Sequence, residues 1–294
     1  MVGGVAAAAV GCGADRGIAT VRLASGEVGG LYHAFARLLA EVAARAGTVR
    51  IEPVATSGSQ ANLAMLANGE VDAALALADS VPGAAGTYLA LGRVYENYLQ
   101  LAVRTDSSIR RVADLRGARV NLGATGSGAA LTGERILRAA GLDPAVDVTI
   151  EHRPLREAVA ALDSGAVDAL LWAGGVPTAA LEVPLKMRLI DLGELARPLR
   201  EHFGQVYDRV EIPTDAYPDT AAVHTIGIAN LLLATAALPD AAAAAIVDLL
   251  VTRVDALVPA EAAGTQFLDT RSLIGTGTVP LHSGAADIYR SKHG

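Results

Sequence analysis

Leu66-Ala-Asn-Gly-Glu-Val-Asp-Ala-Ala-Leu75 and Leu162-Asp-Ser-Gly-Ala-Val-Asp-Ala-Leu-Leu171 are one phrase written twice. In each copy an alanine-rich helical run meets a glycine, Gly69 or Gly165, and Val-Asp-Ala with an apolar run follows. The glycine suits the left-handed position that closes a helix. The apolar run has the length of a buried parallel strand. One helix–stop–strand unit in each half predicts two α/β domains of similar plan, with a ligand cleft between them. The competing explanation is a chance match between two ordinary helix–strand units.

Composition fits that plan. A chain of 294 residues is long enough for about two domains. Hydrophobic residues make up 52% and charged residues 19%, so a sizeable core forms and disorder is not expected. Aromatics are only 4%, which leaves alanine, valine and leucine to fill that core and few platforms for stacking bases. The net charge is −7 and no run of Lys or Arg stands out, so nucleic acid is a poor partner. An acidic chain can still bind an anion through local helix N-termini.

The single cysteine, Cys12, forbids an internal disulfide. It directly follows the small apolar stretch Val2–Val10 and Gly11, an arrangement that resembles the end of a bacterial lipoprotein export signal with Cys12 as the lipidated residue. Two departures weaken the match: no Lys or Arg precedes the stretch, and Ala9 stands where a larger aliphatic is usual. The stretch is too short to span a bilayer, so a lipid on Cys12 would anchor the protein without a crossing. Residues 1–17 are therefore read as an export segment. Domain I is expected at 18–104 and 225–294, and domain II at 105–224.

Three segments share one design: an apolar strand, a turn of Gly, Ser and Thr, then a helix. They are Ser25-Gly-Glu-Val-Gly-Gly30, Thr56-Ser-Gly-Ser59 and Thr125-Gly-Ser-Gly128. Glycine lets a ligand approach the backbone closely. The first amides of the following helix lack internal partners, and the helix dipole adds about half a positive charge there. Each turn alone could be an ordinary capped helix. Three together, where open α/β sheets bind ligands, point to a site for a carboxylate.

Other chemistries find no support. Gly123-Ala-Thr-Gly-Ser-Gly128 lacks the Gly-Lys-Ser/Thr ending of a phosphate loop, and Leu131 stands where a dinucleotide fingerprint needs glycine or alanine. No Gly-x-Ser-x-Gly elbow occurs, and no two histidines lie at metal-ligand spacing. Asp72 and Asp168 in the repeat are expected to hold backbone amides at strand starts rather than to act as an acid–base pair. The sequence argues for binding without turnover, with no cofactor and no metal.

The chain resembles the TAXI family, the extracytoplasmic solute receptors of one branch of the tripartite ATP-independent periplasmic (TRAP) transporters. The resemblance is carried in order by Ser25–Tyr32, Thr56–Leu63, Asp114–Gly117 through Gly123–Gly128, Ala173–Pro177, Thr225–Gly227, and Val279-Pro-Leu-His-Ser-Gly-Ala285 with Tyr289. It covers about residues 18–291, and the closing Pro-Leu-His-Ser-Gly-Ala is its most telling part. It implies a type II periplasmic-binding fold, two α/β domains joined by hinge strands near 103–106 and 224–227. It further implies a monomer outside the cytoplasm that delivers a small anionic solute to a TRAP-type membrane permease. Known members are associated with acidic amino acids or 2-oxo dicarboxylates.

Carried over by position, the resemblance implies Ser25, Gly30 and Tyr32 on one wall, joined by Thr56, Ser57, Ser59 and Asn62, with Asp79 as a further candidate. Thr125, Gly126, Ser127 and Gly128 form the opposing wall, beside Gly175, Val176 and Pro177. Glu27 departs from the family's usual small or hydroxyl residue. It either receives a cationic group of the ligand, repels a second carboxylate, or points to solvent. The turns hold no arginine to clamp a carboxylate, and Arg153 and Arg156 are the substitutes on offer. Core packing is the expected role of Trp172. Two other functions fit the same fold: a ligand-sensing subunit for a membrane signalling partner, and an enzyme, which would need a convergent acid, base or lysine that the turns lack.

Overall fold

The doubled phrase builds two matching sheet units. In the computed structural model, which describes residues 18–83, 86–181, 186–259, 269 and 271–293, the chain runs β1 (Thr20–Ala24), α1 (Leu31–Ala46), β2 (Arg50–Val54), α2 (Ser59–Ala67), β3 (Ala73–Leu77) and β4 (Leu89–Arg104). It continues β5 (Arg119–Asn121), α3 (Gly128–Ala139), β6 (Thr149–Glu151), α4 (Leu155–Asp163), β7 (Ala169–Gly174), β8 (Met187–Leu189) and α5 (Ala196–Phe203). Then follow β9 (Asp208–Ile212), β10 (Val223–Ala234), α6 (Asp240–Thr252) and α7 (Ser283–His293). Cys12 lies outside the described residues.

Gly69 and Gly165 adopt φ of 72° and 74°, the left-handed conformation that closes α2 and α4. The strands that follow, β3 and β7, are parallel to β1 and β5. Asp72 and Asp168 do hold backbone amides, but those of the neighbouring strand: Arg22 N–H donates to Asp72 at 2.7 Å and Arg119 N–H to Asp168 at 2.9 Å. Each copy thus closes its own helix and ties the adjacent strand, at Arg22 in β1 and at Arg119, the first residue of β5.

The sheet order is β2-β1-β3-β10-β4-β7-β5-β6, with β8 on β4 and β9 on β10. Two long antiparallel strands carry the chain between its halves. β4 pairs with β10 over Leu89–Tyr98 and with β7 over Tyr98–Val103, while β10 pairs with β9 before it reaches β3. β4 runs 16 residues, Leu89–Arg104. Its first half alternates poorly because Arg93, Glu96 and Asn97 interrupt the apolar run, yet Glu96 and Asn97 are buried. Between β8 and β10 the chain forms α5 and β9, and α6 ends at Thr252.

Apolar packing follows the same two halves. Leu31, Phe35, Leu39 and Val42 recur at helical spacing on α1 and pack with β1, β3, α6 and α7 residues around Tyr95, whose ring meets Phe35 edge-on at 5.5 Å. On the other side, Leu99, Leu101 and Val103 of β4 pack with α3, β5 and α5. Each fully buried Leu or Phe contributes about 1.5–3 kcal/mol, so these two clusters hold the turns at the strand ends in place.

Candidate ligand-binding site

The turn after β1 is fixed from behind. Ser25 is buried, its N–H and hydroxyl both donating to the Val54 carbonyl, and its hydroxyl also lies 3.2 Å from His33 Nδ1. Gly30 N–H closes the turn on the Glu27 carbonyl at 2.9 Å, and α1 then begins at Gly30 with no side chain capping it. The open end of α1 therefore faces a cavity of about 110 Å³, which Gly26, Glu27, Gly30, Leu31 and Tyr32 line.

The second wall comes from Ser57, Gly58 and Ser59 at the start of α2. Asn62, fully buried beneath it, donates to the Ser25 and Leu75 carbonyls and accepts from the Thr56 hydroxyl at 2.5 Å. It ties three strand ends together and lies behind the wall. Thr56 lines a wider outer vestibule of about 420 Å³ with Glu27, Pro154, Arg156 and Glu157.

The opposing wall is Gly123, Ala124, Ser127, Gly128 and Ala129, with Leu77, Leu170, Trp172 and Ala173 as apolar floor. Ser127 caps α3 by accepting from Ala130 N–H at 3.1 Å. Thr125 is exposed and Gly126 faces the second turn. Gly175 accepts from Gln100 and Thr178, and Thr178 in turn receives the Trp172 indole N–H at 3.1 Å. Gly175, Val176 and Pro177 thus stand behind Trp172 rather than on the cavity surface. Asp79 is also off the surface. Thr132 and Tyr207 donate to it, and Arg135 lies 3.3 Å away. Desolvation still pushes its carboxyl above the ordinary aspartate range, against those three partners.

The opposing turns touch. Gln60 and Ala61 N–H, the free amides expected at the start of α2, both donate to the Gly126 carbonyl at 3.1 Å. A Cβ on Gly128 would stand 2.6 Å from Ser59 Oγ, so only glycine admits this approach. Ser59 Oγ itself accepts from Leu77 N–H at 3.0 Å and lies 3.1 Å from Tyr32 OH. At the mouth, Glu27 Oε2 accepts from Leu155 N–H of α4 at 3.1 Å. Burial raises the Glu27 pKa, the Leu155 bond lowers it, and nearby Glu157 raises it further, with a net shift upward. In this conformation the second turn spends its amides on closure, and the open end of α1 remains for a ligand.

Asn97 on β4 and Asn121 on β5 also line the cavity, and sequence reasoning missed both. They are 3% and 0% exposed, and Asn97 Oδ1 and Asn121 Nδ2 have no hydrogen-bond partner. Their only signal was an asparagine inside an otherwise buried strand. Trp172, expected to pack, both packs and lines the cavity. Among the described residues, no Arg or Lys lines the inner cavity. Arg153 is paired with Glu151, while Arg156 stands in the vestibule. Among the described residues no cluster of His, Cys, Asp and Glu is arranged to hold a metal, and no helix is long and apolar enough to cross a membrane.

The family model described as the NMT1-like family matches residues 23–292. The chain belongs to the NMT1-like family. Solved structures agree on the fold. The periplasmic aliphatic sulphonate binding protein SsuA from Escherichia coli superposes with a TM-score of 0.51 at 19% identity, covering 81% of this chain and 72% of that one. The alkanesulfonate-binding protein SsuA from Xanthomonas axonopodis pv. citri, bound to MOPS, gives 0.50 at 20% identity, over 81% and 78%. A putative L-cystine ABC transporter protein from Listeria monocytogenes gives 0.53 at 16% identity, over 85% and 98%. At such identities the likeness concerns the fold, which is that of the type II periplasmic binding proteins.

Proposed function

We propose that the protein is an extracytoplasmic solute-binding receptor that captures a small anionic solute between its two halves and hands it to a membrane permease. The observation that carries this is the cavity between the turns. It is roofed by two turns in mutual contact, lined at one end by the uncapped start of α1, and furnished with unpaired buried amides. It contains no nucleophile–base pair, so the protein binds and releases without turnover. The positive end of α1 supplies the anion preference that no arginine supplies.

The lobes of this receptor are 18–104 with 225–294, and 105–224. We place its pivots near the expected 103–106 and 224–227, and the change of partner of β4 from β10 to β7 at Tyr98 supports a pivot on that strand. The solute is of the acidic amino acid or 2-oxo and dicarboxylate class, and the permease is TRAP-type, both from the TAXI resemblance of the turn motifs. An ABC-type permease is the second reading, favoured by the L-cystine transporter likeness. Titration calorimetry with dicarboxylates, acidic and basic amino acids, their oxo acids and alkanesulfonates tests capture. Thermal shifts give an independent readout, because solute at about 100 times its Kd adds about 2.7 kcal/mol. No binding by any member of that panel would sink the receptor proposal.

A further inference from the structure

We propose that Asp79 is a positioning residue for the opposing wall: through Thr132, Arg135 and Tyr207 it sets how α3, and with it the Gly126–Gly128 turn, seats against the first lobe. The proposal rests on the lobes of the receptor reading and deepens it.

Asp79 sits in the short helical turn Ala78–Ser80 that follows β3, on the first lobe. Its side chain is wholly buried. The neighbouring Ser80 hydroxyl donates to Oδ1 at 3.4 Å. The partners of Oδ2 come from the second lobe. Thr132 of α3 lies 2.7 Å from it, the Tyr207 hydroxyl 3.2 Å and Arg135 Nη1 3.3 Å. Arg135 Nη1 also donates to the Asp79 carbonyl at 2.8 Å and to the Tyr207 hydroxyl at 2.9 Å. The Arg135 guanidinium lies over the Phe203 ring of α5, 5.3 Å from its centroid. Main chain and side chain of one residue are thus gripped from the other lobe. Asp79, Thr132, Arg135 and Tyr207 all stand off the cavity surface.

Thr132 carries the grip to the wall. Its hydroxyl is shared between Asp79 Oδ2 and the Gly128 carbonyl, 3.0 Å away and one helical turn back. At Gly128, α3 comes so close to Ser59 that a Cβ is excluded, and at Gly126 the Gln60 and Ala61 amides are met. Contacts at Gly126, Gly128, Thr132 and Arg135 therefore form one seam along the start of α3. Asp79 fastens the end that lies beyond the cavity lining.

The chemistry of this seam suits alignment better than stability. Desolvation pushes the Asp79 carboxyl above the ordinary aspartate range, so its donors offset only part of the cost of burying it. Apolar side chains of similar volume often hold such a place at least as well. Directional bonds to a buried carboxylate instead favour one register, the best-attested use of groups of this kind.

The experiment is amide hydrogen exchange, read by NMR on the full chain without solute. Thr132→Val combined with Tyr207→Phe keeps the shape of the seam and removes both hydroxyls. The expected result is exchange at Gln60 and Ala61 faster by at least about tenfold, with the buried strand amides of Leu75 and Leu101 within about twofold of wild type. Asp79→Asn keeps an oxygen for Thr132 and Tyr207 and should stay within about threefold. If the double variant does not fold, Tyr207→Phe alone decides, with an expected rise of about threefold. Exchange at Gln60 and Ala61 that is unchanged, or that rises only in step with Leu75 and Leu101, overturns the assignment and leaves the network a plain source of stability. Calorimetry with the solute panel separates this role from the receptor reading. Every solute that binds should weaken by one common factor of about threefold or more, because no group on the cavity surface has changed. A loss confined to some solutes places Asp79 in the site and overturns the positioning role. A panel in which nothing binds sinks the receptor reading, while exchange still decides what Asp79 does.

Discussion

Glu27 is the residue on which pH acts most directly. Its carboxyl is half-buried between the first turn and α4, and burial outweighs the Leu155 N–H in setting its pKa above the ordinary glutamate value near 4.5. A carboxyl whose folded pKa is raised contributes stability that is complete below the unfolded value and is lost as pH rises through the folded one. Glu27→Gln keeps an acceptor for Leu155 N–H and removes the titration. The variant is expected to gain stability relative to wild type as pH is raised from about 4 to about 7, read as the difference in Tm at each pH. A difference that stays constant with pH would show that Glu27 is solvated in the folded protein. The sequence marked Glu27 as a departure but could not orient it, because its partner, Leu155, lies 128 positions away. Asn97 and Asn121 were harder to read for the same reason. What makes them unusual is one amide end left without a partner in three dimensions, and a lone asparagine in a strand has no local mark of that.

At the scale of elements, local chemistry was the most legible. Gly69 and Gly165 were readable because a left-handed helix stop is a property of one residue and its neighbours. The first half of β4 was not, since Arg93, Glu96 and Asn97 break the alternation and only the flanking β10 makes them a strand. The closing motif has a structural role here. His282 Nε2 lies 3.0 Å from the Leu238 carbonyl, the Ser283 hydroxyl donates to Asp240, and Gly284 packs so tightly that an added Cβ would stand 2.2 Å from the Asp240 carbonyl oxygen. The motif locks the start of α7 onto the start of α6. Further along α7, Tyr289 OH donates to the Leu91 carbonyl at 2.7 Å, beside Gly92. Gly284→Ala is therefore expected to cost about 1–3 kcal/mol and lower Tm by several degrees, with solute affinity unchanged. Lost affinity at an unchanged Tm would instead place the motif in the site.

For the whole molecule, the α/β fold with a helix–stop–strand unit in each half followed from the doubled phrase. How the lobes meet did not, because it depends on pairs such as Gln60 with Gly126 and Ser59 with Gly128, each assembled from both halves. Those pairs give closure an observable. The Gln60 and Ala61 amides are protected only while the Gly126 carbonyl is against them. Hydrogen exchange at these two amides should slow on adding solute, and Gly128→Ala, which holds the turns apart, should abolish that slowing. Exchange that is indifferent to solute would mean that the lobes do not separate.

The carbonyl of Gly126 has a consequence for traffic. It serves the α2 amides by itself, so the shut form has a reward of its own before any solute arrives. If the protein is the receptor proposed above, this contact favours closure without solute, empty molecules compete with loaded ones for its permease, and net uptake depends on the ratio of solute to receptor as well as on affinity. Weakening that one contact would sharpen the distinction between empty and full at the expense of grip.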